Sequence, residues 1–479
     1  MKKIKLRLIN FLKRNKILFV LSLSAVLIIV GILGHSYELD EAFSIFVSRD
    51  WRRMFGILWH QEANMWFYYI LLHFWQRLGT SEIIIRSLSA IFALMAAGVS
   101  YKIAEYLFDK KTAILASLLL IFNMYFIFYA QQARSYSLAL FLTCLSSCSY
   151  LCYLKEGKHK LLYIFSTALA FYAHFYTLLV LAAQVFVSLL QRKFKKLIPV
   201  YFWIGFLLLP ALIAPSFLSH QVDWEKRPLF ASLLGTVFAL SGDFILLCLV
   251  FALLFFKNYR FLFKHYRKFE VDFLGSWLIF PIILSFAFSW LFKPVYQSVY
   301  FLICLPPFAI LSAIYLRNIP SHLIRKLVII LIMGLSWIRL SFWYTKNESF
   351  RSVFNNNPED WKSLVNYVET NSTEADAVIF YGYYNHFPFE LYSASSNLKL
   401  IEISSGSYAI GPRLPGPNKE LISQFEYPGV WLVLRNADKS AVDYSSSLDE
   451  IMSGLSYKYQ ISIKTEFPEL EVILYVRKD

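Results

Sequence analysis

The chain has 479 residues, 57% of them hydrophobic and 16% charged, and a formal net charge of +15; its mean hydropathy is +0.50. A soluble domain carries about a quarter charged residues, so most of this chain needs lipid. The positive balance does not point to nucleic acid, because Lys and Arg sit in short clusters between apolar runs rather than on one soluble face.

A spanning helix takes about 20 mostly apolar residues. The sequence predicts eleven such segments, near 17–34, 83–107, 112–128, 138–154, 161–173, 175–190, 198–215, 235–256, 272–291, 299–316 and 327–344. The first follows a basic start but ends in Gly34-His35-Ser36-Tyr37 with no small-residue cleavage site, so it reads as a retained anchor. The fifth and sixth are short enough to be one tilted helix or a tight hairpin. Cys144, Cys148 and Cys152 fall four apart on one helix face, and Cys248 and Cys304 also lie in apolar runs. Small apolar packing explains that stripe better than metal ligation.

Orientation follows from the basic residues near the span ends. Alternate loops, counting the N-terminal segment, carry 24 Lys and Arg on one side against eight on the other: Arg49, Arg52, Arg53, Arg77, Arg134, Lys226, Arg227 and Lys293. The N-terminus is therefore expected in the cytoplasm and the C-terminal segment outside. Residues 1–344 form a membrane domain with a first outer loop at 35–80, and 345–479 a separate outer domain. In that tail, Ala377-Val378-Ile379-Phe380-Tyr381 and Val430-Trp431-Leu432-Val433-Leu434 read as strands, and 360–368 has helical spacing. The alternation predicts a small α/β domain with no phosphate-binding Gly-rich loop, metal pattern or nucleophile elbow. A lid or docking role would suit it.

The first outer loop is unlike a plain connector. It opens Tyr37-Glu38-Leu39-Asp40-Glu41, runs amphipathically to Arg52-Arg53, and continues Trp59-His60-Gln61-Glu62-Ala63-Asn64-Met65-Trp66. Interfacial Trp and Tyr fit helices lying on the membrane surface. Asp40 and Glu41 directly follow the first span, where lipid meets water. A carboxylate there is partly desolvated and suits the role of a base, although a solvated loop acid is the plainer alternative. Arg134 stands at the outer end of a span, where a guanidinium can hold phosphate oxygens bidentately or simply snorkel. His174 and Tyr176 lie between two short spans on the same side; a His in such a setting is more often a hydrogen-bonded packing residue.

These segments carry a resemblance. Asp40-Glu41, the run from Glu62 to Trp75, the run from Ser81 to Ala90 and the run from Tyr129 through Gln131-Gln132-Ala133-Arg134 to Ser137 resemble the protein-mannosyltransferase-related glycosyltransferases of GT-C fold. They are also similar to the aminoarabinose transferases of lipid A. Phe292-Lys293-Pro294 through Tyr300 is similar to a late loop of that family, and 360–390 to the start of its outer domain. The resemblance covers most of 35–190 and, beyond that, mainly topology. It implies a polytopic α-helical membrane protein of the bacterial inner membrane that takes a sugar from a polyprenyl-phosphate donor. The acceptor would be a lipid, glycan or protein outside the cytoplasm. It makes Asp40 the general base; the residues themselves add Glu41 beside it, and Glu62, Asn64, Arg134, His174, Tyr176 and Lys293 are expected to bind donor phosphate or substrate. Two departures matter. Gln132 stands where many relatives have Glu, which removes a metal ligand and favours metal-independent chemistry with no cofactor, divalent metal being the alternative. Val299-Tyr300 stands where many have Arg-Tyr, which puts that loop's phosphate contact in doubt, with Lys293 as its substitute.

Three rival readings differ in what they need. A transporter or flippase of a lipid-linked saccharide would place charges at mid-membrane, whereas polar groups here concentrate at the outer ends. A non-catalytic scaffold leaves the first-loop acids unexplained. A polysaccharide polymerase or ligase usually carries its largest outer loop between late spans, not after the last.

Overall fold

A computed structural model of the chain describes residues 16–33, 35–62, 64–218, 227–254, 268–345, 359–393, 398–403, 425–439 and 445–478. The basic residues before Lys16, Gly34, Ala63, Lys226 and the basic run at 257–267 lie outside the described residues. The chain divides into two compact units, Met1–Leu33 with Leu58–Phe354, and Gly34–Ile57 with Asn355–Asp479. The boundary at 344 drawn from composition thus misses one exchange. The start of the first outer loop groups with the C-terminal domain.

The first unit is helical. Among the described residues, five helices are long and apolar enough to cross a membrane: Glu82–Leu107, Tyr136–Glu156, Phe194–Leu212, Lys268–Leu291 and Ser298–Arg317. Two further pairs pass only together, Lys110–Ile121 with Met124–Ala130, bent by 65°, and Phe230–Leu240 with Ile245–Leu254, bent by 93°. Lys16–Ile32, Lys160–Ala173 and Thr177–Leu190 are apolar but shorter, and His322–Tyr344 completes the set. All eleven apolar segments are therefore helical, while five to seven meet the length and composition of a span. The fifth and sixth segments are separate helices.

The outward faces of these helices are apolar. Phe202, Phe206 and Leu209 stand exposed along one helix and Leu323, Leu327 and Ile330 along another. Large exposed apolar faces of this kind mark surfaces built for lipid or a partner. The inward faces bury large aromatic side chains such as Tyr125, Tyr150 and Trp277 together with small and polar residues. Glu82–Leu107 buries Ala90, Ala93, Ala96, Ala97 and Ala104, which lets neighbouring backbones approach closely. Gln184 accepts from the Tyr163 hydroxyl at 2.8 Å and donates to Ser147 at 3.3 Å, and Ser146 shares a 2.7 Å bond with Thr167. Such bonds are each worth about 0.6–2 kcal/mol between membrane helices. The three-cysteine face lies beside this network, with Cys144 buried and Cys148 and Cys152 half-buried, all as free thiols.

The second unit carries a five-stranded sheet of order β2-β1-β3-β5-β4. Its strands are β1 (Ala377–Tyr381), β2 (Lys399–Ile403), β3 (Gly429–Arg435), β4 (Tyr459–Phe467) and β5 (Leu470–Arg477). β2, β1 and β3 run parallel, and β5 and β4 close the sheet antiparallel. Parallel strands covered on both faces read as unbroken apolar runs, which is why β1 and β3 were legible. Trp361, Leu364, Val365 and Val368 of the helix Trp361–Asn371 pack on the face of Val378, Phe380, Trp431 and Val433. Ile451 and Leu455 of the helix Ser445–Lys458 cover Ile379, Leu432 and Ile473 on the other. The edge strand β4 is charged, its Lys464 paired to Glu471 at 2.7 Å. A charged edge discourages pairing with another chain.

Candidate functional site

Within the second unit, the first-loop acids sit at the start of the helix Leu39–Arg49 and part company there. Asp40 is exposed. Glu41 is 1% exposed, and its Oε2 accepts from the backbone N–H of Glu38 at 3.0 Å, one half of a capping box. Glu41 thus serves the start of its own helix, satisfying a donor that the helix geometry orphans. Phe46 packs against Phe387 with ring centroids 4.4 Å apart and the rings tilted by 44°, and Phe43 meets the same ring edge-on at 5.6 Å. The Arg49–Glu390 pair at 3.1 Å is exposed and adds little.

Glu359, which sequence reasoning passed over, holds the same turn. It is 7% exposed. Its Oε2 accepts from the Leu39 N–H at 3.3 Å and from the Trp361 indole at 2.7 Å, and its Oε1 accepts from Arg435 Nε. Burial alone would pull the Arg435 guanidinium down, but the Glu359 and Asp438 carboxylates hold it above its ordinary value.

Within the first unit, the other candidate residues converge. Asn64 donates its backbone N–H to Glu62 Oε1 at 3.0 Å. Its Oδ1 accepts from the N–H of Phe175 at 3.2 Å, 111 residues away. Met65 follows in the left-handed region at φ 64°, with its N–H on Asn64 Oδ1. Asn64 is thereby tied to the connection between Lys160–Ala173 and Thr177–Leu190. In that connection His174 is 3% exposed. Its Nδ1 accepts from the Tyr176 N–H at 3.3 Å, so the proton of the neutral ring belongs on Nε2. Among the described residues Nε2 is buried and has no hydrogen-bond partner. Burial pushes the imidazole down to about 3, and the Arg134 charge acts in the same direction; the ring is neutral at neutral pH.

Aromatic rings surround it. Tyr300, Tyr176 and Tyr136 lie 4.8, 5.6 and 5.7 Å from the His174 ring, and the Arg134 guanidinium is 6.0 Å from the Tyr136 ring. The Arg134 carbonyl accepts from Ser89 Oγ at 3.1 Å, and Ser89 meets the Tyr68 hydroxyl at 3.2 Å. Tyr176 donates its hydroxyl to the Val295 carbonyl, which pins the late loop. Lys293 is exposed two residues before that anchor. Glu62, Asn64, Arg134, His174 and Tyr176 are thus one neighbourhood, with Tyr300 and Tyr136 added to it. In the sequence both were named only within segments that carry the family likeness, Tyr136 after Arg134 and Tyr300 in the late loop, without a role of their own. Among the described residues no group of three or more His, Cys, Asp or Glu side chains is placed to hold a metal ion.

No protein-family model matches the chain, and no curated protein does. Solved structures do. ArnT from Cupriavidus metallidurans in the apo state superposes with a TM-score of 0.62 at 13% identity, over 96% of this chain and 98% of that one. The same protein bound to undecaprenyl phosphate gives 0.62 at 12% identity with the same coverage. The oligosaccharyltransferase AglB from Archaeoglobus fulgidus, in complex with an inhibitory peptide and a dolichol-phosphate, gives 0.54 at 11% identity over 94% and 73%. The chain therefore has the GT-C fold of these glycosyltransferases.

Proposed function

We propose that this chain is an integral membrane glycosyltransferase. It moves a sugar from a polyprenyl-phosphate donor to a lipid, glycan or protein acceptor on the outer side of the membrane. The observation that carries the reading is the end-to-end likeness to a protein solved with undecaprenyl phosphate, over 96% of this chain and 98% of that one. The chemistry follows a single displacement. An acceptor hydroxyl attacks the anomeric carbon, the bond from that carbon to the phosphate oxygen breaks, and the configuration inverts. The polyprenyl phosphate leaves with the electron pair, and Asp40 takes the hydroxyl proton. Glu41 stands beside it as the alternative acid. The departing phosphate needs donors aimed at its growing charge. Arg134 supplies a guanidinium suited to phosphate, His174 a buried neutral N–H, and Lys293 a second cation. Glu62 and Asn64 hold the connection that carries His174, and Tyr176 anchors the late loop that carries Lys293.

The test is mass spectrometry of envelope lipids, glycans and glycoproteins from cells with and without the protein, joined to an assay of the purified protein. In detergent, the cell's own polyprenyl-phosphate sugars should be consumed and undecaprenyl phosphate released. If no lipid-linked sugar is consumed, the transporter or flippase reading takes the lead.

A further inference from the structure

The second unit joins the start of the first outer loop to the C-terminal sheet, and one buried carboxylate makes the joint. Each of the three oxygens of Glu359 accepts a hydrogen bond. Its side chain takes Leu39 N–H, Trp361 Nε1–H and Arg435 Nε–H, and its backbone carbonyl takes Ser36 Oγ–H at 2.6 Å. The Leu39 amide is the first of the helix Leu39–Arg49 and has no partner inside that helix. A carboxylate at a helix N-terminus also meets the positive end of its dipole. The next residue is Asp40.

The other end of the joint is rigid. Arg435 closes β3, whose residues before it are fully buried, and it pairs with Asp438 at 3.4 Å. Asp438 in turn accepts from Asn385 and from the Tyr384 hydroxyl, both at 2.8 Å. A second tie runs beside the first, the Tyr37 N–H donating to the Tyr392 hydroxyl at 2.7 Å. A helix of 11 residues is marginal alone in water, so what fixes its first turn fixes the direction of Asp40.

We infer that the C-terminal domain is a positioning element of the active site, which sets Asp40 through Glu359 and Tyr392. It is then more than a lid. The inference rests on Asp40 being the base, so the experiment separates the two. Purified Asp40→Asn, Glu359→Ala, Glu359→Gln and Tyr392→Phe are compared with the unmodified protein in detergent. Three readouts are taken: release of undecaprenyl phosphate from extracted polyprenyl-phosphate sugars, affinity for undecaprenyl phosphate itself, and backbone amide exchange.

Glu359→Ala should lower turnover about 100-fold, the loss a displacement of about 1 Å at a reacting group can cause. Affinity for undecaprenyl phosphate should stay within about twofold, and exchange should rise at residues 36–49 and not in β3. Glu359→Gln keeps one acceptor oxygen and should recover part of the turnover. Should Glu359→Ala fail to fold, Tyr392→Phe decides, since it removes one hydroxyl; its turnover should fall in the same direction. Unchanged exchange at 36–49, or unchanged turnover in Tyr392→Phe with a misfolded Glu359→Ala, overturns the positioning role. Near-normal turnover in Asp40→Asn overturns the base assignment instead.

Discussion

At the scale of single residues, the two parts of the proposed machinery should respond differently to substitution. Asp40→Asn keeps shape and most hydrogen bonding but cannot take a proton, so transfer should fall about 10²–10⁴-fold while the protein stays folded and inserted. Normal turnover would move the base to Glu41, then to Glu62. Arg134→Ala leaves the base intact and removes a phosphate contact, so it should chiefly raise the KM for the lipid donor. His174 makes a prediction about pH. Its folded value of about 3 lies below the ordinary value near 6.5, so the unfolded chain binds the proton more readily. Its contribution to stability is complete above about pH 6.5 and is lost as pH falls towards 3, with a slope of up to about 1.4 kcal/mol per pH unit. Thermal unfolding in detergent between pH 7 and 4 should therefore be less steeply acid-sensitive in His174→Asn than in the unmodified protein. Equal slopes would remove the buried neutral imidazole. These roles were only partly legible in the sequence. Asp40 and Glu41 looked alike there because adjacent letters carry no direction, whereas a helix turns them about 100° apart, leaving one exposed and one engaged by the Glu38 amide.

At the scale of elements, the eleven apolar segments were legible and their bends were not. Hydropathy sums residues along a window and is blind to the chain's direction. Asn123 breaks one run: its side chain caps the next helix through the Tyr125 N–H at 2.9 Å and donates to the Leu240 carbonyl at 2.8 Å. Gly242 and Asp243, at φ 106° and 57°, break the other. That second break is locked by charge. Arg339 donates to the Asp243 carbonyl at 2.9 Å and to its carboxylate at 2.5 Å, with both side chains at most 2% exposed. Removing one member of such a pair leaves an uncompensated buried charge and costs about 3–5 kcal/mol. Arg339→Met should therefore destabilise strongly, and Arg339→Met combined with Asp243→Asn should recover much of the loss. A double-mutant cycle of thermal stability in detergent measures this; additive losses would show that the pair does not couple. The joint at Glu359 was beyond sequence reasoning for a related reason. Leu39 and Glu359 are 320 residues apart, and no local pattern marks an acid that serves a distant amide.

At the scale of the whole molecule, the bends decide how many times the chain crosses the membrane. Basic residues flanking spans stay on the cytoplasmic side, and the loops sum to 24 on one side against eight on the other when all eleven segments cross. The two bent pairs pass the span test only when each is counted as one. A pair that returns to its own side instead would remove one crossing and invert everything after it. Between Lys196 and the last described residues lie five segments: Phe194–Leu212, the pair Phe230–Leu240 with Ile245–Leu254, Lys268–Leu291, Ser298–Arg317 and His322–Tyr344. Five crossings put the two ends of that stretch on opposite sides; four put them on the same side. Reporter fusions after Lys196 and after Asp479 should therefore report opposite compartments, with Lys196 cytoplasmic. Fusions after Lys111 and after Lys158 enclose the first bent pair and Tyr136–Glu156, two crossings, and should both be cytoplasmic. Matching compartments in the first comparison would make the 93° pair re-entrant; opposite compartments in the second would do the same for the 65° pair. Either result would also bear on the chemistry. A single re-entrant pair moves the C-terminal domain to the other side from the one expected here, and an odd number of crossings is what the proposed outer location of Asp40 and its anchoring domain requires.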